Sequence, residues 1–472
     1  MNNLTSGQRK MVYGLGIMIL MGFVIWLGAP SSGSPGSGGK VSQLREQHGL
    51  GEATLGNVDP TSSTMNLVLL GFRGIAASIL WSDAEFYRAT KNWSQLQQTA
   101  DSITLLQPHF KKVWEYQAWN LGFNVSAECD AVEDRYYWVK QGAKYLIRGT
   151  TRNKKFPELE YECGRFFGQK IGRSDEKEQF RKYFLQDPDT ARWKGKADGD
   201  INPEGLDNHL VAKQWYLKAN DSVETKEYVQ HKMDDALFRA YPYHAQMDYA
   251  ADREGDGIFD DTSLQAWKDA YIDWTVKYGQ KRFTAAGIGV VFTMEGTRKD
   301  FEKMAREERL PPLPGKIEDP TTVALEIESL VKEKLNWQDR YHSTSNYKYW
   351  KLRCQAEQES EMRDVREKLY YGKRKLTKEG VPDEARPLLE AGHLGLQKMI
   401  DKFGLDEWGE SKLMENDEIL LEDTLKSLLI YERVCEGLPA GDFPLKSVWV
   451  NPKYQKQREE LREKFIKKYG AG

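Results

Sequence analysis

Apolar positions along this chain follow two patterns. The first is one unbroken run. Met11 to Gly28 (MVYGLGIMILMGFVIWLG) holds 18 residues and no charge, the lower edge of what crosses a bilayer as a helix. Arg9 and Lys10 precede it and no acid does, so the positive-inside bias predicts an N-terminus in the cytoplasm and the bulk of the chain on the extracytoplasmic side. The alternative, a cleaved signal peptide, would need a small-x-small site, and Leu27-Gly28-Ala29 is a poor one. An uncleaved anchor is therefore expected over residues 1–28. A tether follows over 29–65, opening on the flexible Gly/Ser/Pro stretch APSSGSPGSGGK.

The second pattern is the helical period, with apolar residues three and four apart. It begins with Leu67 to Trp81, which Arg73 interrupts. That run is short for a second span and Arg is costly at a span's centre, so it reads as a buried first helix. Helix pairs follow: Ala76–Thr90 with Trp93–Leu106, Phe110–Asn124 with Val132–Arg148, and Pro157–Ile171 with Asp175–Leu185. A small residue followed three later by a large one recurs, as Ala84/Tyr87, Ala118/Leu121 and Gly164/Phe167. Ala84 and Ala118 are 34 residues apart, the period of tetratricopeptide (TPR) helix pairs, and Pro108 falls where that motif closes its second helix. Ala118 and Gly164 are 46 apart, so the loop around Cys129 carries extra residues. Small residues let paired helices approach closely, with Ala100 and Gly142 as the facing positions. Polar Asp83 and Gln117 occupy places that the motif fills with apolar residues.

In such stacks the first helix of each pair lines the concave face. Counting from the repeat starts, the groove-facing fifth positions are Trp81, Glu115 and Tyr161, and the ninth are Glu85, Trp119 and Arg165, with Arg88 one turn later. This mixed aromatic and charged strip suits an extended peptide.

Beyond it, 187–207 reads as a polar loop. Helical pattern resumes at His209–Asn220, Ala245–Arg253 and Ser263–Tyr278, the last burying Ala266, Trp267, Ala270, Tyr271 and Trp274. Ile288–Met294 is the strand candidate. Leu310–Pro320 (LPPLPGKIEDP) is the expected domain boundary. After it come charged helices at Thr321–Leu335, Tyr347–Leu376, Asp383–Phe403, Leu413–Glu436 and Tyr454–Lys468. The expected fold is mainly α: a single N-terminal transmembrane helix, an irregular TPR-like α-solenoid over 66–310, and a C-terminal helical domain over 311–472.

Composition narrows the partners. With 472 residues at a net charge of −3, no basic face is implied and nucleic acid is not an expected partner. The aromatic content of 12% argues against a disordered chain. Cys129, Cys163, Cys354 and Cys435 have no CxxC spacing. An oxidising compartment would permit a Cys129–Cys163 bridge, and metal ligation is not expected.

Candidate chemistry is thin. Asp252–Ser263 (DREGDGIFDDTS) places acids at positions one, three, five and nine of a calcium-type loop, with Gly257 at six. Position twelve, normally Glu, is Ser263, and a plain turn explains the glycines equally well. Ala286-Gly287-Ile288-Gly289 is a glycine-rich fragment lacking its third glycine, and is better read as a strand with a bulge. Motifs for nucleophilic, zinc or phosphate chemistry are missing from the sequence. No catalytic residue, metal ligand or cofactor is assigned. The many rings also admit a glycan-binding cleft, although rings at helical spacing more often form core.

LGFRGIAASILW, LQPHFKKVWEYQAWNLGFNVS, DRYYWVKQGAKYL and FFGQKIGRSDE together resemble a bacterial family of membrane-anchored, TPR-like envelope proteins, over roughly Val58 to Tyr278. The resemblance implies an anchor plus repeats and supplies no catalytic residues. The expected function is a scaffold in the cytoplasmic membrane, binding protein partners of the cell envelope. The alternatives are a glycan- or wall-binding module and an all-α hydrolase.

Overall fold

Ser6–Gly28 forms helix α1, with Thr5 and Gln8 closing a reciprocal capping box at its start. At 1.5 Å per residue it is about 34 Å long, and it is apolar enough to cross a membrane. A short helix α2, Lys40–Gln47, follows. The computed structural model describes residues 5–29, 37–47, 73–224, 233–285, 288–309, 319–404, 411–438 and 441–469. By contact it divides into two units, Met1–Lys232 and Met233–Gly472, and almost all of its regular structure is helical.

In the first unit, α3 (Arg73–Ala89) packs along α4 (Trp93–Leu106) around Ala84, Leu96 and Ile103. Residues 67–72 of the first apolar run lie outside the described residues. Helix α5 (Lys111–Trp119) continues as a π-helical turn, Asn120–Val125, and packs on α6 (Val132–Arg152). Helix α7 (Pro157–Arg165) continues in the same way as the π turn Phe166–Ile171. The bounds of α5 and α7, and of their π turns, are offset by the 46 residues that separate Ala118 from Gly164.

Small residues set the helix spacings. A Cβ on Gly142 would stand 2.7 Å from the Ala118 carbonyl oxygen, and one on Gly149 would stand 2.9 Å from Trp114. These two glycines let α6 lie directly on α5. Ala84, Ala100 and Ala118 are buried as expected. Gly164 is buried too, but it does not bring α7 onto the segment after Ser174. Its missing side chain admits the ring of Tyr216, so the partner of α7 is α10 (Asn208–Glu224). Helix α8 (Lys177–Leu185), the partner expected from the sequence, instead packs on the π turn through Phe184 against Phe167 and on α6 through Phe180 against Tyr136.

The polar stretch 187–207 is a loop with one turn of helix, α9 (Thr190–Trp193). Two lysines of α6 hold it. Lys140 pairs with Asp187 at 2.7 Å, and Lys144 with Asp198 at 2.8 Å. Both carboxylates are fully buried, and each buried charge has its counterion.

The second unit opens with α11 (Asp235–Gly255), which runs through Pro242. Proline in a helix interior normally marks a break, which is why the sequence pattern starts that helix only at Ala245. Helix α12 (Asp261–Ile272) and its π turn Asp273–Tyr278 bury Ala266, Trp267, Ala270 and Trp274, with Tyr271 half-buried. Trp274 stacks on Tyr278 at 4.6 Å and on Tyr347 at 5.2 Å. The expected strand shrinks to Val291–Phe292 (β2), paired antiparallel with Phe283–Thr284 (β1). Of the glycine-rich fragment, Ile288 and Gly289 donate to the Ala285 carbonyl between the two strands, with Gly289 at φ +81°; residues 286 and 287 are outside the described set.

Helices α13 (Arg298–Glu308) and α14 (Pro320–Thr344) flank the proline-rich stretch and pack on each other, with Arg309 Nε donating to Glu326 at 2.9 Å. Both belong to the second unit, so the structural division falls near residue 232 rather than at 310. Helices α15 (Tyr347–Glu357), α16 (Ser360–Arg374), α17 (Pro382–Phe403), α18 (Lys412–Asn416), α19 (Glu418–Val434), α20 (Lys446–Trp449) and α21 (Gln455–Tyr469) complete it around a core that includes Met362, Leu396, Leu425 and Leu428.

Candidate binding groove

An aromatic surface left open in the first unit lies along α3, α5 and α7. Trp81 from α3 meets Tyr116 from α5 edge-on, with ring centroids 5.7 Å apart. One turn further on, Trp119 stacks on Phe123 at 6.2 Å, and Phe123 meets Phe166 at 6.0 Å in a T-shape. These rings and Leu146 line a cavity of about 500 Å³. Phe110, Trp119 and Phe123 are 49%, 46% and 38% exposed, a degree of exposure that core rings do not keep.

The polar rim of this cavity is largely self-neutralised. Lys112 pairs with Glu115, and Arg165 donates to Glu162 through Nε at 2.8 Å. Burial pushes the Glu162 carboxyl up despite Arg165 beside it. The Tyr116 hydroxyl donates to Glu85 at 3.2 Å, and Arg88 holds the other Glu85 oxygen at 2.8 Å. Burial, followed by the Glu85 charge, pushes the Tyr116 hydroxyl up, so it stays a donor.

A second cavity, about 620 Å³, adjoins the first and shares Trp119, Phe123, Arg165 and Gln169 with it. It runs on along the π turn to Lys170, Arg173 and Ser174 and ends at Asp175 and Glu176. Together the two cavities form one groove across successive helix pairs.

Of the residues that spacing selects, Trp81, Glu115, Trp119 and Arg165 line the first cavity. Glu85 reaches it through Tyr116, and Arg88 orients Glu85. Tyr161 does not reach it. Its ring is buried at 5.2 Å from Tyr216, because Gly164 draws α10 onto that side of α7. Phe123, Phe166, Gln169 and Lys170 escaped the repeat count, which goes past the ninth position only at Arg88 in the first repeat. Phe123 was legible all the same, since it falls four residues after Trp119 and shares its helix face.

The other candidates resolve into structural roles. Asp260 caps α12, accepting from the Thr262 and Ser263 amides, and Arg253 sits 3.2 Å from the same carboxylate. In the calcium-type loop Asp260 thus serves as a helix cap with a guanidinium beside it. All four cysteines are free thiols, Cys163 being buried in α7 and Cys129 lying 3.6 Å from the Val125 carbonyl. In the second unit buried Glu254, Glu357 and Arg353 and half-buried Arg366 form a cluster of ionisable groups, with the Trp267 indole donating to Glu254 at 3.0 Å. Comparison of the chain with protein-family models, with curated proteins and with solved structures gives no match.

Proposed function

We propose that this chain is a membrane-anchored scaffold of the cell envelope that holds protein segments in the groove of its first unit. The observation that carries the reading is the open groove itself. Phe110, Trp119 and Phe123, on and beside α5, present exposed rings, and α5 and α7 add self-neutralised ion pairs along one surface. The matched bounds of α5 and α7, and the close approach at Gly142, support an irregular TPR-like stack as its frame. Helix α1, with Arg9 and Lys10 in its first turns ahead of the apolar run, supports an anchor in the cytoplasmic membrane, N-terminus inside. We read the chain as a binding protein, not an enzyme. The stacked Trp119–Phe123 pair also suits a sugar face, which makes a wall-glycan ligand the second reading.

The test is the double substitution Glu85→Ala with Arg165→Ala in the anchored chain. Both side chains are half-exposed and paired only at the surface, so folding should change by less than about 1 kcal/mol. Envelope proteins captured by crosslinking should fall several-fold. Unchanged capture would remove the groove assignment, capture of cytoplasmic proteins would reverse the topology, and competition by wall fragments alone would favour the glycan.

A further inference from the structure

The two halves of the groove differ in charge balance, and that difference specifies a ligand. In the first cavity each cation already has its acid: Lys112 has Glu115 and Arg165 has Glu162. What remains there for a ligand is apolar ring surface. The second cavity is different. Lys170, half-buried, lies over the rings of Phe123 at 4.8 Å and Phe180 at 5.7 Å. No carboxylate among the described residues is within ion-pair distance of its ammonium. Glu176, the first acid to act on it, is held by Arg135 at 2.5 Å. Beside it in the same cavity, the Ser174 hydroxyl is shielded from solvent and has no hydrogen-bond partner among the described residues. Gln169, exposed and lining both cavities, leaves its carboxamide available at the junction.

We propose that the groove selects an extended protein segment bearing an aromatic or branched aliphatic side chain and, close to it in sequence, a carboxylate. The apolar side chain fills the ring-lined cavity. The carboxylate accepts from Lys170 and Ser174, and Gln169 pairs with the backbone between them. The chemistry fits a carboxylate because a half-desolvated ammonium gains most from an ionised acceptor. It fits a peptide because anchor and charge lie in two cavities joined end to end, the geometry of a linear segment. Nucleic acid is disfavoured, since Lys112 and Arg165 of the same groove are already paired and leave no run of cations to follow a chain of phosphates.

This inference rests on the groove being a peptide site, and the experiment separates the two. The full chain in detergent micelles is used to select from a phage-displayed library of random dodecapeptides, with Trp119→Ala as the counter-selection. Enriched peptides should carry an acid within a few residues of an aromatic or aliphatic anchor. For a synthesised winner, Lys170→Gln should weaken binding roughly tenfold or more, the range for a hydrogen bond to a charged group. Changing the peptide's acid to its amide should do the same, and the two changes together should cost no more than either alone. Lys170→Arg should stay within a few-fold of the parent. Peptides that depend on Trp119 but show no acid preference and ignore Lys170→Gln would overturn the inference and leave the groove reading intact. Equal losses in Lys170→Arg and Lys170→Gln would assign Lys170 to packing on Phe123 and overturn it as well. Absence of any Trp119-dependent peptide would overturn both. So would Lys170-dependent retention of vesicles containing anionic lipid in place of any peptide, which would make the ligand a lipid surface.

Discussion

Replacing Arg366 with Met is expected to destabilise the second unit by roughly 3–5 kcal/mol at neutral pH, the usual cost of stranding a buried charge. Arg366 pairs with Glu357, which is 1% exposed, and reaches Asp423 at 3.3 Å. Arg353 supplies the cluster's second cation, 3.9 Å from Asp417. Glu254 completes the cluster as a neutral acid. Burial, then the Glu357 charge, pushes its carboxyl up to about 8. Without Arg366, Glu357 loses its ion-pair partner and keeps only the weaker pull of Arg353, whereas Arg366→Met combined with Glu357→Leu should recover much of the loss. Denaturant titration of the full chain in detergent checks this, and a single-variant cost below 1 kcal/mol would show that the cluster contributes little.

The same cluster fixes a pH dependence. Below about pH 4.5, near the free Glu value, Glu254 is protonated whether folded or unfolded and contributes no pH slope. Between that value and about 8 the unfolded chain has released the proton while the folded chain retains it. Stability therefore falls as pH rises through this window. Glu254→Gln keeps the acceptor for Trp267 and removes the titration. Its stability relative to the parent chain should be higher at pH 8 than at pH 5.

The second large effect is at Gly142. Glycine inside a helix normally costs about 1 kcal/mol against alanine, so an unconstrained Gly→Ala change would stabilise. Here the new Cβ would stand 2.7 Å from a backbone oxygen of α5 and 3.0 Å from Phe166. A backbone atom cannot rotate away, so α5 and α6 must separate. Gly142→Val should cost roughly 1–3 kcal/mol or more, and even Gly142→Ala should destabilise. Gly168 is the internal control: a Cβ there meets Ala212 at an ordinary 3.6 Å, so Gly168→Ala should be neutral or stabilising by up to about 1 kcal/mol. Thermal melts of the four proteins decide the matter. If Gly142→Ala melted like Gly168→Ala, the close helix contact would be wrong. Ala118→Leu probes the same contact from the α5 side, where Ala118 is 1% exposed.

Local helical pattern carried far in this chain, because its helices obey short-range rules. The charge-free run at Met11–Gly28, the small residues at Ala84, Ala118 and Gly164, and the apolar face from Ala266 to Trp274 can each be read from spacing alone. Long-range pairing could not be read. That Gly164 faces Tyr216 rather than the helix next in sequence depends on a loop pinned by Lys140 and Lys144, and no period records that. Pro242 concealed the first half of α11 for a related reason, since tertiary packing overrides a local penalty. Four groove residues emerged from repeat counting, Trp81, Glu115, Trp119 and Arg165. The π turns carried the groove past the counted positions and placed Lys170 over the rings of Phe123 and Phe180.

The central claim, that the first unit's groove holds protein segments, is tested most directly by placing a photo-crosslinking amino acid at single positions in the anchored chain in living cells. Positions 119 and 123 report the groove, and position 137, where Tyr137 is 50% exposed on α6, serves as the control. The account predicts discrete protein adducts at 119 and 123, absent at 137 and suppressed by the Glu85→Ala, Arg165→Ala double change. Adducts equally strong at all three positions, or none at 119 and 123, would contradict it.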